Sequence, residues 1–513
     1  MKRQQYSNIE GLLRLGIAAL AVIAQMLFFF WLTNSLMNAG TYIYSAIQIF
    51  SVFTIVKLVN RHESPSYKIA WLLVIFILPV FGLILYFLWG RANYKRFRRI
   101  KDTEPAKELW DPENTSAMML KRFISVHPEL ARIAYFLNHH GFPIYPETKS
   151  TYFPLGDFCF DELCVDLEKA KRYIFLEFFI VSDGTLWDKL SKILVEKARM
   201  GVEVFFLMDD FGCMNLSRKE RKKLTEAGVM WKTFNPIFRH LSNLYLNYRN
   251  HQKIIVIDGV CAYTGGVNLA DEYVNIYKKY GHWKDTAVKV TGNSVWNLTL
   301  TFLQMWHMGG KNNNSRYLHY RVIRDDNHTE KGFVQPFTDG PSNNPHSPAK
   351  AVCQQMIESS DKYVWITSPY LILEEDMLDS LTRAAESGVD VRIITPSIPD
   401  KWYVHLVSRS HYGRLILSGV KIYEYTPGFM HAKMIVSDDT NALVGTVNFD
   451  FRSFYLQYEN AVWFCDSPVV LDVRDDFRQT LEVCKEFTYA DWKARPWYQK
   501  VAAAGFRMFA TLM

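Results

Sequence analysis

His251-Gln-Lys-Ile-Ile-Val-Ile-Asp258 and His431-Ala-Lys-Met-Ile-Val-Ser-Asp438 are two versions of one pattern, H-x-K-x-x-x-x-D, set 180 residues apart in a chain of 513. In an extended strand, alternation puts the histidine and the lysine of each copy on one face. The apolar residues that follow the lysine carry the strand on into a core. Gly266 and Asn268 stand fifteen and seventeen residues after His251, and the same offsets from His431 give Thr446 and Asn448. Gly265 and Gly445, one residue earlier, allow close backbone approach. A lone H-x-K on a strand is most often surface decoration. Two copies with matched companions at equivalent places are hard to attribute to packing.

The repeat extends upstream of both motifs. Residues 173–180 and 363–370 each read as a strand, and a helical stretch follows each, at 186–200 and 377–387. Gly201 and Gly388 then open apolar runs of the kind that form buried strands. Ala227-Gly-Val-Met-Trp231 and Ser418-Gly-Val-Lys-Ile422 lead into a further strand. Strands alternating with helices imply an α/β fold with a largely parallel or mixed sheet. Two copies imply two tandem domains related by a pseudo-two-fold axis. The boundaries read from the sequence are 101–310 for the first domain and 348–490 for the second. The Asn-, Ser-, Pro- and His-rich stretch 311–347 is read as a linker, and 491–513 as an amphipathic tail that mixes Trp, Phe and Met with basic residues.

An imidazole and an ammonium at a common mouth suit an anionic phosphodiester. The ammonium binds a phosphoryl oxygen while the imidazole attacks or moves protons. Each repeat supplies one histidine, one lysine and one asparagine to such a site. No cluster of Asp, Glu and His with metal-ligand spacing lies outside the motifs, so neither a metal nor a cofactor is expected.

The first hundred residues are different in kind. Hydrophobic residues make up 49% of the chain, with mean hydropathy −0.08, and the excess is concentrated there. The runs 15–33 and 69–89 are long enough to span ~30 Å of hydrocarbon. A third apolar run, 42–56, is shorter and interrupted by Ser45, Gln48 and Ser51. Residues 1–100 are therefore read as a membrane anchor with two hydrophobic segments, or three if 42–56 also crosses. Arg91, Lys95, Arg96, Arg98, Arg99 and Lys101 directly follow the last run and put the remainder of the chain on the cytoplasmic side. Residues 118–137 are read as a further helix under the membrane. The formal charge of +7 fits anionic lipid headgroups as partners and is too small to argue for nucleic acid. Seven scattered cysteines without paired C-x-x-C units read as reduced core thiols.

With both motifs and their G-x-N companions in view, the chain resembles the phospholipase D superfamily over residues 150–490. More narrowly it resembles the bacterial cardiolipin synthases nearly end to end. His282-Trp-Lys-Asp285, Tyr425-Thr-Pro-Gly-Phe-Met-His431 and Gly445-Thr-Val-Asn-Phe-Asp-Phe-Arg-Ser453 carry that narrower likeness. The resemblance implies two phospholipase D-like domains in a multi-pass protein of the bacterial cell membrane. It implies transfer of a phosphatidyl group from one phosphatidylglycerol to another, giving cardiolipin and glycerol through a phosphohistidine. By the same resemblance His251 is the nucleophile and His431 the acid/base, while Lys253 and Lys433 clamp the phosphoryl oxygens with Asn268 and Asn448 beside them. Gly266 and Thr446 are expected to contact substrate, and Asp258 and Asp438 to support the motifs structurally. Glu459, 28 residues after His431, matches the family's orienting acid. The same offset from His251 gives Lys279, so Asp285 is expected to take that part for His251. Hydrolysis to phosphatidic acid, nuclease activity and a non-catalytic membrane scaffold are the competing readings.

Overall fold

The computed structural model describes residues 39–61, 63–90, 107–146, 148–236, 248–308, 314–323, 330–343 and 347–512, with scattered positions between 23 and 31. They fall into two compact units, an N-terminal one reaching residue 93 and one that carries both repeats.

In the N-terminal unit the sequence reading of the apolar runs needs correction. Residues 69–89 do not form one helix. Ser64 caps a helix Pro65–Ile77, accepting from the Tyr67 N–H at 3.5 Å, and the helix stops at Leu78. Pro79 has no N–H to donate and its ring blocks the preceding turn, so a second helix, Pro79–Leu85, begins there and passes into a π turn, Tyr86–Gly90. The run ranked third is instead the continuous one: Ala39–Val59 is a 21-residue helix. Its Tyr42–Val59 stretch is, among the described residues, the one long and apolar enough to cross a membrane. The run 15–33 lies outside the described residues apart from a few positions.

The second unit is built on two sheets with the same strand order. The first runs Ser150–Phe153, Ala287–Thr291, Cys261–Gly265, Ile254–Ile257, Tyr173–Phe178, Glu203–Asp209, Met230–Phe234. The second runs Phe333–Asp339, Gln457–Cys465, Asn441–Gly445, Met434–Ser437, Tyr363–Thr367, Asp390–Pro396, Lys421–Tyr425, extended at its two edges by Tyr145–Pro146 and Cys484–Phe487. Tyr173–Phe178 pairs in parallel with Glu203–Asp209 and antiparallel with Ile254–Ile257, and Tyr363–Thr367 makes the same two pairings in its repeat. The motif strands are buried along their whole length, which is why they are continuous apolar runs rather than alternating ones.

This correspondence corrects two boundaries. Phe333–Asp339 lies inside the stretch read as a linker, yet it is the counterpart of Ser150–Phe153 and pairs with Gln457–Cys465 over seven residues. The second repeat therefore starts near 333. Its opening strand was hidden by Pro336 and by the polar residues around it. Residues 116–146, read as part of the first domain, pack on the second sheet. The stretch 118–137 is two helices, Ser116–Val126 and Ala131–His139, split at Pro128, and Phe123 and Leu137 are fully buried with Met356 and Trp463. The helices Val295–His307 and Pro468–Leu481 fill a core to which both sheets contribute, where Phe302 stacks on Phe175 at 4.5 Å and Phe477 on Trp365 at 5.2 Å. All seven cysteines are free thiols, six of them buried.

Candidate active site

Each motif ends at a turn that its aspartate holds. Asp258 and Asp438 both take a left-handed conformation, φ 54°, which Asp tolerates better than most residues. Asp258 accepts the backbone N–H groups of Lys171, Arg172 and Tyr173 at 2.8, 2.8 and 2.9 Å. Asp438 accepts those of Asp361, Lys362 and Tyr363 at 2.8, 2.9 and 2.8 Å. Each carboxylate thus ties its motif strand to the start of the neighbouring central strand, at the end away from the histidine.

The histidines enter from the other end, and here the two repeats cross. Arg249–Asn250, just before His251, pairs in parallel with Gln457 and Tyr458 of the second repeat. Gly428–Met430, just before His431, pairs in parallel with His282–Lys284 of the first. The His251 N–H donates to Tyr458 O at 2.9 Å, and the His431 N–H to Lys284 O at 2.7 Å. The residue after each of these paired stretches is a buried carboxylate. His251 Nδ1 therefore meets Glu459 at 2.9 and 3.0 Å, and His431 Nδ1 meets Asp285 Oδ2 at 2.6 Å.

The two orienting acids are the residues named from the sequence, with their histidines exchanged. The sheet register explains why. Ala287 pairs with Gly265 and Ala461 with Gly445, so Asp285 and Glu459, each two residues earlier, occupy equivalent positions. Lys279 falls at the matching offset only because the loop before Asp285 is six residues longer: Asp285 follows His251 by 34 residues, Glu459 follows His431 by 28. A repeat-internal offset finds the acid but not the histidine it serves, because the hydrogen bond runs between repeats.

The residues around the acids differ. Glu459 also accepts from Ser453 Oγ at 2.7 Å and from Thr446 Oγ1. Asp285 accepts its own neighbour's N–H, Thr286, at 2.9 Å. A Cβ at Gly266 would overlap the Asp285 carboxylate, so glycine stands where the second repeat has a hydroxyl. Gly266 and Thr446 thus face the acids. Lys253 Nζ donates to His251 O at 2.6 Å. Lys433 Nζ donates to His431 O and lies 2.9 Å from His431 Nδ1. Asn268 Oδ1 accepts the Ile180 N–H at 3.0 Å, leaving its Nδ2 without a hydrogen-bond partner, and Asn448 Oδ1 likewise has none.

Burial dominates the electrostatics. It pushes Lys253 down to about 7 and Lys433 down to about 8, each also lowered or raised by charges from both repeats. Burial likewise holds His251 well below its usual value, with Lys253, Lys433 and His431 adding to the effect. His431 falls to about 4 through burial and Lys433, against the opposing pull of Asp285. Glu459 is raised above the carboxylate range by burial. A carboxylate that accepts from Nδ1 favours the tautomer whose Nε2 keeps its lone pair. Two lysines and two imidazoles, each imidazole backed by a buried acid, thus meet in one buried site. Among the described residues, no group of three or more His, Cys, Asp or Glu side chains is arranged to hold a metal.

Sequence reasoning gave no role to several neighbours. Asn250 donates to Glu177 at 2.5 Å and its N–H bonds Asp209 at 3.0 Å, fixing the approach to His251. The signal available was an acid in the apolar run Tyr-Ile-Phe-Leu-Glu177-Phe-Phe-Ile. Lys284 Nζ bonds Asp476 at 2.6 Å, and Tyr152 donates to the same carboxylate at 2.6 Å, so the strand behind His431 is fixed by an ion pair between repeats. Phe179 packs 5.2 Å from His251, and Tyr273 and Trp283 pack 5.3 and 5.1 Å from His431.

Comparison with known proteins gives this geometry a family. The model of the cardiolipin synthase PLD-like domain matches twice, at residues 163–284 and 353–481, and that of the phospholipase D-nuclease N-terminal region matches 46–91. A cardiolipin synthase of Geobacillus kaustophilus is 35% identical over 94% of this chain and 95% of its own length. The chain belongs to the cardiolipin synthase family. An uncharacterised protein of Streptococcus mutans is 38% identical over 85% of this chain and 94% of its own. A crystal structure of a Haemophilus influenzae phosphatidylserine synthase shares the fold, with TM-score 0.57 at 15% identity over 74% of this chain and 97% of the other. In this chain the apolar helix Ala39–Val59 precedes the two matched domains.

Proposed function

We propose that this member of the cardiolipin synthase family is a phosphatidyltransferase that joins two phosphatidylglycerol molecules into cardiolipin and releases glycerol. The observation that carries the reading is the crossing of His–acid pairs, which gives one buried site two imidazoles with free Nε2 atoms and two ammonium groups. His251 Nε2 attacks phosphorus, forming an N–P bond as the P–O bond to glycerol breaks. His431 gives that oxygen its proton. His431 then takes the proton from the glycerol hydroxyl of a second phosphatidylglycerol, whose oxygen attacks phosphorus as the N–P bond breaks. Burial and the neighbouring cations hold His251 neutral, which suits a nucleophile. His431 has a carboxylate at 2.6 Å that favours its charged form, which suits an acid. The bound phosphodiester anion adds the negative charge that lifts His431 and both lysines toward protonation. Lys253, Lys433, Asn268 and Asn448 bind the phosphoryl oxygens, and Phe179, Tyr273 and Trp283 keep water from the N–P bond.

Incubating the purified protein with phosphatidylglycerol alone and extracting the lipids tests the reaction. Cardiolipin with one glycerol per cardiolipin is expected. Phosphatidic acid without cardiolipin would assign hydrolysis instead.

The same reading places the chain in a bacterial cell membrane. Ala39–Val59 and the broken pair Pro65–Ile77 and Pro79–Leu85 form a multi-pass anchor, with the Lys/Arg cluster 91–101 and the repeats on the cytoplasmic face. A single cysteine introduced at Met200 should react with a membrane-impermeant thiol reagent only after cells are opened. Reaction in intact cells would reverse the orientation.

A further inference from the structure

The C-terminal helix Trp497–Met508 has two apolar stripes where packing needs one. Ala503, Phe506 and Ala510 face the helix Trp402–Leu417: Ala503 and Ala510 are buried, and Phe506 meets Trp402 at 5.4 Å. Trp497, Val501, Ala504 and Met508 recur at i, i+4, i+7 and i+11 and so line the opposite face. Trp497 is 75% exposed, Val501 63% and Met508 46%. A helix whose inner face is already satisfied gains nothing in water from a Trp–Val–Met stripe outside it. Lys500 and Arg507 flank this stripe, and residues 489–513 hold four cations, Lys493, Arg495, Lys500 and Arg507, against one acid, Asp491.

The helix connects to the site through its inner face. Phe506 and Tyr403 share a cluster with Tyr370. Tyr370 also packs in the cluster of Tyr273, Trp283 and Phe429 that surrounds His431. Tyr280, in that same cluster, ends the loop that is six residues longer in the first repeat. The loop's tip is Ile276-Tyr-Lys-Lys279, with Ile276 and Tyr277 each 53% exposed. Apolar side chains beside lysines thus recur at both ends of one chain of contacts.

We propose that this surface is a second membrane contact, made by the repeats themselves: the outer stripe of Trp497–Met508 and the loop tip Ile276–Tyr277 insert among anionic phosphoglyceride headgroups, on the His431 side of the site. Tryptophan and tyrosine settle at the headgroup level of a bilayer, and flanking cations draw the surface to anionic lipid. The contact would let a phosphatidylglycerol hydroxyl reach His431 without leaving the bilayer. It rests on the lipid-substrate reading only in the choice of an anionic bilayer.

The test uses the full chain in vesicles of phosphatidylglycerol and phosphatidylcholine. Single fluorescent labels are placed at Val501→Cys and Tyr277→Cys, with Met200→Cys, 74% exposed, as the reference. The labels at 501 and 277 should be quenched at least threefold more than the reference by a headgroup-level nitroxide lipid, and shielded from aqueous iodide. Equal iodide access at all three positions would overturn the proposal, whether or not the protein makes cardiolipin. In addition, Trp497→Ser with Val501→Ser and Met508→Ser, all on the unpacked face, should lower turnover on vesicles severalfold and leave turnover in mixed detergent micelles unchanged. Loss in both media, or in neither, would equally overturn it.

Discussion

The two halves of the site use one frame and different fillings. Asp258 and Asp438 make the same three hydrogen bonds to within 0.1 Å, yet His251 is served by a glutamate held by two hydroxyls and His431 by an aspartate wedged against a glycine. The frame is duplicated because each motif strand must be fixed to its own sheet. In the proposed mechanism the two imidazoles face different tasks, one attacking phosphorus and the other carrying a proton, and the different fillings suit that division. A perfectly symmetric pair would give both rings the same basicity and no reason for the reaction to start from one side.

Removing the rings tests that division most severely. His251→Asn should abolish the N–P intermediate and lower turnover ~10⁴-fold or more. His431→Asn should lower turnover to a similar depth but leave the nucleophile in place. A rapid-quench experiment with labelled phosphatidylglycerol should then find label on the peptide containing His251 in wild type and in His431→Asn, and none in His251→Asn. Label on the His431 peptide would exchange the roles.

The acids come next. Asp285→Asn and Glu459→Gln each replace an acceptor with an amide that cannot stabilise the imidazolium, at roughly 10²–10³-fold in turnover. Because each acid lies in the opposite repeat from its ring, the double variant His431→Asn/Asp285→Asn should be no slower than His431→Asn alone, whereas His431→Asn/Glu459→Gln should be slower still. The reverse pattern would restore the pairing within repeats.

That pairing marks where the sequence stopped being legible. The motif strands, the alternation of strands and helices, and the histidines, lysines, asparagines and two acids of the site could be read from local pattern, since apolar runs and fixed offsets encode them. Contacts between repeats leave no such offset: nothing near His251 announces Glu459, 208 residues away. The longer loop before Asp285 displaced even the internal register. Phe333–Asp339 was lost in a polar stretch because its burial comes from Gln457–Cys465, not from its own composition. Likewise, Pro79 divides an apolar run whose hydropathy alone gives no sign of a break.

The residues beside the acids should give smaller effects. Gly266→Thr would push Asp285 away from His431, with a loss of about tenfold or more in turnover. Thr446→Gly removes one of the hydrogen bonds that Glu459 accepts and leaves Ser453 and His251, a loss of only severalfold. The lysines add a pH dependence whose sign follows from burial. Their pKa values in the empty site, about 7 for Lys253 and about 8 for Lys433, lie below the ordinary lysine value, and only the protonated forms attract an anion. Affinity for an oxyanion such as tungstate should therefore be greatest below about pH 6 and fall by about tenfold or more between pH 7 and 9, measurable by calorimetry. Lys433 also depresses Lys253, so Lys433→Met should move the remaining inflection upward. An affinity that rises with pH would contradict this account.

The smallest effect on chemistry should come from the most symmetric feature. Asn tolerates the left-handed conformation as Asp does, so Asp258→Asn and Asp438→Asn change the hydrogen bonds without straining the turn. Each replaces one acceptor oxygen that faces backbone N–H groups with an NH₂ that cannot accept. The partners lie at strand starts where water can reach, which limits the cost to about 1–3 kcal/mol per turn. Thermal unfolding should thus shift downward by a few degrees while turnover per folded molecule stays near wild type. The two variants should not be equal. Asp439, next to Asp438, accepts from the Tyr363 hydroxyl at 2.8 Å and from Arg474 at 2.9 Å, and its own N–H donates back to that hydroxyl at 3.0 Å. Gly259 stands in the corresponding place after Asp258, and no side chain there can take over the tie. Asp258→Asn should therefore cost more stability than Asp438→Asn. A loss of turnover matching that of the histidine variants, with no change in unfolding, would instead bring these aspartates into the chemistry.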